Sequence, residues 1–265
     1  MREGYKKCIV LKVRSFQKQL ILLLLYDIYL SRICVSIAAD DLEQLERQIN
    51  QAFNYGADYV EIRFDFLNLS DMDQAMSISN MISKKAVYTL RAPDEGGHFK
   101  GSIAQRIAWL KKLAASKPML LDVELNTIKY NTCLTDYLKA QNVSLLISWH
   151  DFEKTPQDAE LKRLLYEMRT YSQNIKMVAT AQTTVDSLRL LDLYENARGL
   201  NLIAFAMGDA GVISRVLCVI IGNAPFTYAS LENAISPGQL TVKQMRKLYD
   251  RINDQLNQTT NAKPS

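Results

Sequence analysis

From Ile33 onward the chain alternates between short apolar runs rich in β-forming residues and longer segments with apolar positions at helical spacing. The runs predict strands at Ile33–Ile37, Tyr59–Phe64, Ala86–Arg91, Met119–Leu125, Val143–Trp149, Ile175–Thr180, Leu200–Ala206 and Pro225–Ala229. Helices are expected to begin near Asp41, Asp71, Ile103, Cys133, Pro156, Thr184, Gly211 and Val242. This strand-then-helix alternation specifies a parallel sheet, and eight repeats predict an α/β fold, a single-domain (β/α)8 TIM barrel over residues 33–257. The strands are almost wholly apolar, as strands covered on both faces are. An open doubly wound sheet is the alternative, but no GxGxxG motif follows the first strand. In a barrel, working residues lie at the C-terminal ends of strands and in the loops that follow.

Residues 1–32 stand apart from this repeat as an N-terminal extension. They hold seven Lys/Arg against Glu3 and Asp27, a net of +5, whereas the whole chain carries +4. The body is therefore near neutral, and no nucleic-acid partner is expected. Within the extension, the run from Leu20 to Tyr26 is followed by Asp27, too short and too interrupted for a membrane span. No small-x-small cleavage site follows it, so an added helix, a partner-binding segment or an over-long start is expected instead of a signal. Residues 258–265 are expected to form a disordered tail. The 48% hydrophobic and 23% charged fractions are those of a globular protein. Four scattered cysteines without a CxxC pair argue against a disulfide framework or zinc site, and point to a reducing cytoplasm.

The polar residues inside the apolar strands are the informative ones. Glu61, Arg63 and Asp65 alternate with Val60, Ile62 and Phe64, which turns all three charges to one face as an internal salt bridge or a ligand site. Arg91, at the end of the third strand, is placed to clamp a carboxylate with its planar fork. After it, Asp94-Glu95-Gly-Gly is either a loop that closes over a ligand or a solvated turn. His150 ends the fifth strand, where a barrel enzyme would keep a general base, though a lone histidine is often structural. Lys176 lies within an apolar strand, where desolvation favours the free amine that attacks a ketone or aldehyde; the bland reading is a side chain snorkelling to solvent. Gly208 and Gly211 precede a helix start that suits an anion. The last loop offers Ser236 and Gln239 to substrate hydroxyls.

Taken together, the motifs resemble the type I 3-dehydroquinate dehydratases of the shikimate pathway, from about Ile33 to about Arg251. They are Glu-Ile-Arg (61–63), Leu-Arg-x-x-x-Glu-Gly-Gly (90–97), Ser-Trp-His-Asp-Phe (148–152), Ile-Lys-Met (175–177), Met-Gly-x-x-Gly-x-x-Ser-Arg (207–215) and Pro-Gly-Gln (237–239). The resemblance implies that Lys176 forms an imine with the C3 ketone of 3-dehydroquinate. His150 would then remove the C2 proton and protonate the departing C1 hydroxyl, with Glu95 orienting it and stabilising its imidazolium. It also implies that Arg215 pairs with the substrate carboxylate, and that Ser36, Glu61, Arg63, Arg91 and Gln239 hold hydroxyls or complete the charge network. Because the lysine activates the ketone, no metal and no cofactor are expected; a homodimer is.

Where the family commonly has Ser-Ala-Pro-Gly-Gln, this chain has Ile235-Ser236-Pro-Gly-Gln239. The hydroxyl is shifted by one position, which leaves the contact of Ser236 open. The extension is a second departure. Two other readings compete. A class I aldolase-like barrel shares the strand-six lysine, but the arginine set and the Glu95/His150 pair favour the dehydratase. A non-catalytic barrel serving as a binding module would not be expected to retain Lys176, His150 and Glu95 together.

Overall fold

A computed structural model describes residues 31–261, positions 233 and 235 excepted. The extension up to residue 30 and residues 262–265 thus lie outside the described residues, as does the departure at position 235. Seventeen helices and strands follow one another as β1 (Ile33–Ile37), α1 (Leu42–Asn54), β2 (Tyr59–Arg63), α2 (Met72–Asn80), β3 (Ala86–Thr89), α3 (Ile103–Ala115), β4 (Leu120–Glu124), α4 (Leu125–Tyr130), α5 (Thr132–Ala140), β5 (Leu145–Asp151), α6 (Asp158–Met168), β6 (Asn174–Thr180), α7 (Thr184–Asp192), β7 (Asn201–Met207), α8 (Val212–Ile220), β8 (Thr227–Ala229) and α9 (Val242–Asn261). The short α4 is the one helix of these that the sequence pattern does not announce. Helix α9 continues to Asn261, past the boundary expected at 257. Residues 32–245 form one compact unit, which holds the barrel and every candidate site residue; the remainder of α9 belongs to a second.

All strands are parallel, in the order β7-β6-β5-β4-β3-β2-β1-β8. The helices dock through apolar stripes, as Leu45, Ile49 and Ala52 do on α1. Their N-termini are fixed by side chains: Asp41 accepts from the Gln44 amide, and Ser102 with Gln105 forms a capping box. Inside the barrel Cys34, Val87, Leu146, Ile203, Phe205 and Tyr228 form part of the core.

The barrel is nearly closed. Between β7 and β8 no ladder is recorded among the described residues, and side chains satisfy the edge of β7 instead. The Tyr194 hydroxyl accepts from the Ala204 amide (2.8 Å) and donates to the Ala204 carbonyl (3.1 Å), while the Ala206 amide donates to Ser214 Oγ (2.8 Å). These are the groups a paired β8 would otherwise have met. Rings span the gap, with Phe205 and Tyr228 centroids 6.1 Å apart. No described helix is long and apolar enough to cross a membrane.

Candidate active site

All ten residues expected to work together line one cavity at the C-terminal ends of the strands: Lys176, His150, Glu95, Ser36, Glu61, Arg63, Arg91, Arg215, Ser236 and Gln239. At its floor Glu61 is 3% exposed and accepts from Ser36 Oγ (2.8 Å), Thr89 Oγ1 (3.0 Å) and Lys176 Nζ (3.1 Å). Burial opposes its charge, but Lys176, Arg63, Arg91 and the Ser36 hydroxyl outweigh it and bring the carboxyl down to about 2. Lys176 Nζ also lies 3.6 Å from Asp122 Oδ2 and 4.0 Å from the centre of the Tyr228 ring. The snorkelling alternative is excluded, since Lys176 is 5% exposed and ends inside the barrel.

Strand β3 stops at Thr89, two residues short of the expected end, so Arg91 sits just beyond it. Its guanidinium reaches Asp122 Oδ2 (2.7 Å), Ser148 Oγ (2.6 Å) and Glu124 Oε1 (3.4 Å), while Ser148 in turn donates to Asp122 (2.6 Å). Burial disfavours that charge, and Asp122 and Glu124 more than restore it. Glu124 also accepts from the Ala92 amide (2.8 Å) and from Arg106. Asp65 occupies a short 3-10 turn after β2. It takes both arms of Arg63 (2.9 and 2.7 Å) and the amides of Arg91 (3.3 Å) and His98 (3.0 Å). The internal salt bridge and the ligand site considered for Glu61, Arg63 and Asp65 are therefore one network, because Arg63 also faces the cavity.

The Asp94–Gly97 segment is a built loop and not a loose turn. Pro93–Glu95 forms a 3-10 turn, and a Cβ on Gly97 would fall 2.0 Å from the Arg91 carbonyl oxygen, so a side chain there would displace the backbone. That close approach puts Glu95 Oε2 3.1 Å from His150 Nδ1. Burial, reinforced by Glu124, Asp122 and Asp94 against the pull of Arg91, pushes Glu95 up to about 8. Strand β5 extends two residues beyond the expected Trp149, which makes His150 part of the rigid sheet. Burial, then the cations Arg91, Lys176 and Arg63, hold its imidazole well below the usual value. Phe152 stacks alongside at 6.0 Å.

Across the cavity, Arg215 on α8 is 2% exposed, lies 4.3 Å from the centre of the Phe205 ring, and has Nε and Nη2 buried without a hydrogen-bond partner among the described residues. Burial lowers it to about 10. Ser236 Oγ and the Tyr228 hydroxyl are likewise buried with no hydrogen-bond partner among the described residues. The last loop is zipped to the β7 loop: the Gly208 amide donates to the Pro237 carbonyl (3.1 Å), and a Cβ on Gly238 would lie 2.3 Å from the Gly208 oxygen. The glycines at 208 and 211 thus serve loop packing beside Arg215. His98, the second histidine, rests on Phe66 (4.2 Å) with its side chain 59% exposed.

Sequence reasoning missed Asp122, Glu124, Ser148 as a bridge, and Tyr228. For the two acids a signal existed: Leu-Leu-Asp-Val-Glu repeats the alternation of charge in an apolar strand that singles out Glu61 and Arg63. For Tyr228 there was none, since an aromatic in a strand reads as core.

Residues 33–255 match the family model for type I 3-dehydroquinase. A 3-dehydroquinate dehydratase of Dehalococcoides mccartyi is 36% identical over 223 residues, covering 83% of this chain and 95% of that protein. The crystal structure of the 3-dehydroquinate dehydratase from Aquifex aeolicus is similar at a TM-score of 0.69 and 29% identity, over 83% of this chain and 98% of that one. The Geobacillus kaustophilus enzyme aligns at a TM-score of 0.75 and 23% identity, over 84% and 91%, and supports the fold.

Proposed function

The chain belongs to the type I 3-dehydroquinase family, a lyase that dehydrates 3-dehydroquinate to 3-dehydroshikimate through a lysine imine, and we propose that Lys176, His150 and Glu95 carry out the chemistry. One observation carries the assignment: a single cavity joins a buried lysine amine, a histidine–carboxyl pair and a buried arginine whose Nε and Nη2 have no hydrogen-bond partner among the described residues. Lys176 attacks the C3 ketone, whose oxygen leaves as water, and the resulting iminium becomes the electron sink. His150 takes the C2 proton, the electron pair flows into the iminium to give an enamine, and the C1–O bond then breaks. The departing hydroxyl leaves as water with the proton from His150, and hydrolysis of the imine frees the product and regenerates Lys176.

The hydrogen bond between His150 and Glu95 suits these two proton transfers. With Glu95 ionised it accepts Nδ1–H, which leaves a lone pair on Nε2 for the base step. Once Nε2 is protonated, the Glu95 carboxylate beside Nδ1 stabilises the imidazolium until its proton goes to the departing hydroxyl. That carboxylate offsets the cost that burial and three cations place on the imidazolium. Arg215 pairs with the substrate carboxylate; Ser36, Arg63, Arg91, Ser236 and Gln239 surround its hydroxyls, and Glu61 holds Lys176 in place.

Borohydride added during turnover should fix the substrate covalently on Lys176, as read by peptide mass spectrometry. An adduct that persists in Lys176→Ala would place the imine elsewhere. Exposed apolar residues on neighbouring helices, Val185 and Leu188 on α7 and Ile213 on α8, support the homodimer. Sedimentation showing a monomer at micromolar concentration would end that part of the reading. Free thiols at Cys34, Cys133 and Cys218 support a cytoplasmic setting, and the near-neutral body supports a small molecule in preference to nucleic acid as the partner.

A further inference from the structure

Tyr228 lies on β8 in register with Cys34, so its side chain points into the barrel beneath the cavity. Its ring is held from two sides, by Phe205 (6.1 Å) and by Phe226 (5.6 Å, edge-on). The ring face lies 4.0 Å from Lys176 Nζ, and the hydroxyl, buried, has no hydrogen-bond partner among the described residues. What Tyr228 presents to the lysine nitrogen is therefore its ring face.

The chemistry at that nitrogen makes the ring distinctive. An ammonium presents three hydrogens, and two carboxylates, Glu61 at 3.1 Å and Asp122 at 3.6 Å, are placed to use them. When the ammonium condenses with a ketone, two of those hydrogens leave in the water and one remains on the iminium nitrogen. The carboxylates thus lose donors at the step where the positive charge becomes the electron sink. A π-face needs no hydrogen: it attracts the cation itself, and a planar iminium can lie flat on it. We infer that the ring of Tyr228 is a catalytic group of this site, a cation–π seat that stabilises the Lys176 nitrogen once it carries the charge of the substrate iminium.

This inference rests on Lys176 being the imine residue, and the test separates the two. Wild-type enzyme turning over 3-dehydroquinate is quenched with borohydride, and the adduct is located and quantified; kcat and KM are measured alongside. Tyr228→Leu should lower kcat and the trapped fraction by about tenfold, the scale of a desolvated cation–π contact, with a smaller change in KM. Tyr228→Phe, which keeps the ring, should recover most of that loss. Mono-, di- and trifluorinated phenylalanines at 228 have nearly the same shape but a progressively weaker π-face, and the trapped fraction should fall with each fluorine. A flat fluorine series, or leucine as effective as phenylalanine, with the adduct still on Lys176, would overturn the inference and leave the imine assignment standing. Absence of the wild-type adduct from Lys176 would overturn both.

Discussion

On the side of the barrel mouth built by β2 to β6, Glu61, Arg91, Asp122, Glu124, Ser148 and Lys176 form one continuous network in which each charge meets an opposite charge or a hydroxyl within 3.6 Å. On the side built by β7, β8 and their loops, Arg215, Tyr228 and Ser236 bury polar atoms that have no hydrogen-bond partner among the described residues. Both sides are equally removed from water, so burial does not distinguish them. What differs is whether the chain itself supplies the counter-group. A buried charge without one is costly, and its retention points to a ligand that completes it. The first side is built around itself and fixes the lysine. The second leaves its polar groups open to a ligand, which the proposed function takes to be the substrate.

Stability measurements can break that contrast. The largest change is expected for Arg91→Met, which takes the guanidinium that Asp122 and Glu124 share out of the interior. Removing one member of a buried ion network costs roughly 3–5 kcal/mol, read as the shift in urea unfolding. A loss below about 1 kcal/mol would mean that the network does not hold this side together.

Acid should act next, through Glu61. Its pKa falls from 4.5 when unfolded to about 2 when folded, so its contribution is complete above 4.5 and is lost as pH drops from there through about 2. At about 1.4 kcal/mol for each pH unit, this is on the order of 3 kcal/mol. Glu61→Gln should flatten that part of the stability–pH curve, and an unchanged acid limb would show that another carboxylate carries it.

The smallest effect on the fold is expected at Arg215, and its sign sharpens the comparison. Arg215→Met removes a buried charge that lacks a hydrogen-bonded counter-group, so stability should hold or rise by about 1 kcal/mol, while KM for 3-dehydroquinate rises about tenfold or more. Arg215→Lys should also raise KM, because the planar fork is lost. A variant that unfolds as readily as Arg91→Met would show that Arg215 is structural, and that the two sides are not different in kind.

Much of the site was legible because a strand has a period of two. A lysine at 176, a histidine at 150 and charges at 61 and 63 each interrupt an otherwise apolar run, and any polar residue inside a barrel strand needs a reason. The same rule would have found Asp122 and Glu124. It could not find Tyr228, whose ring is ordinary core until the lysine from β6 is known to lie on it. Nor could it show that β7 and β8 fail to pair, since both read as good strands; the seam depends on Tyr194 and Ser214 taking the ladder groups of Ala204 and Ala206.

The sequence by itself determined the eight-fold repeat, the faces of the strands and the residue types at the mouth, because periodicity and burial act on neighbours along the chain. Only the tertiary structure decided which charges are neutralised and which are left for a ligand. Glu61 and Lys176 are 115 positions apart, and Arg91 and Ser148 are 57. Barrel closure, not local preference, sets distances between such residues, and electrostatic pairing depends on separation in space and on burial, not on separation along the chain.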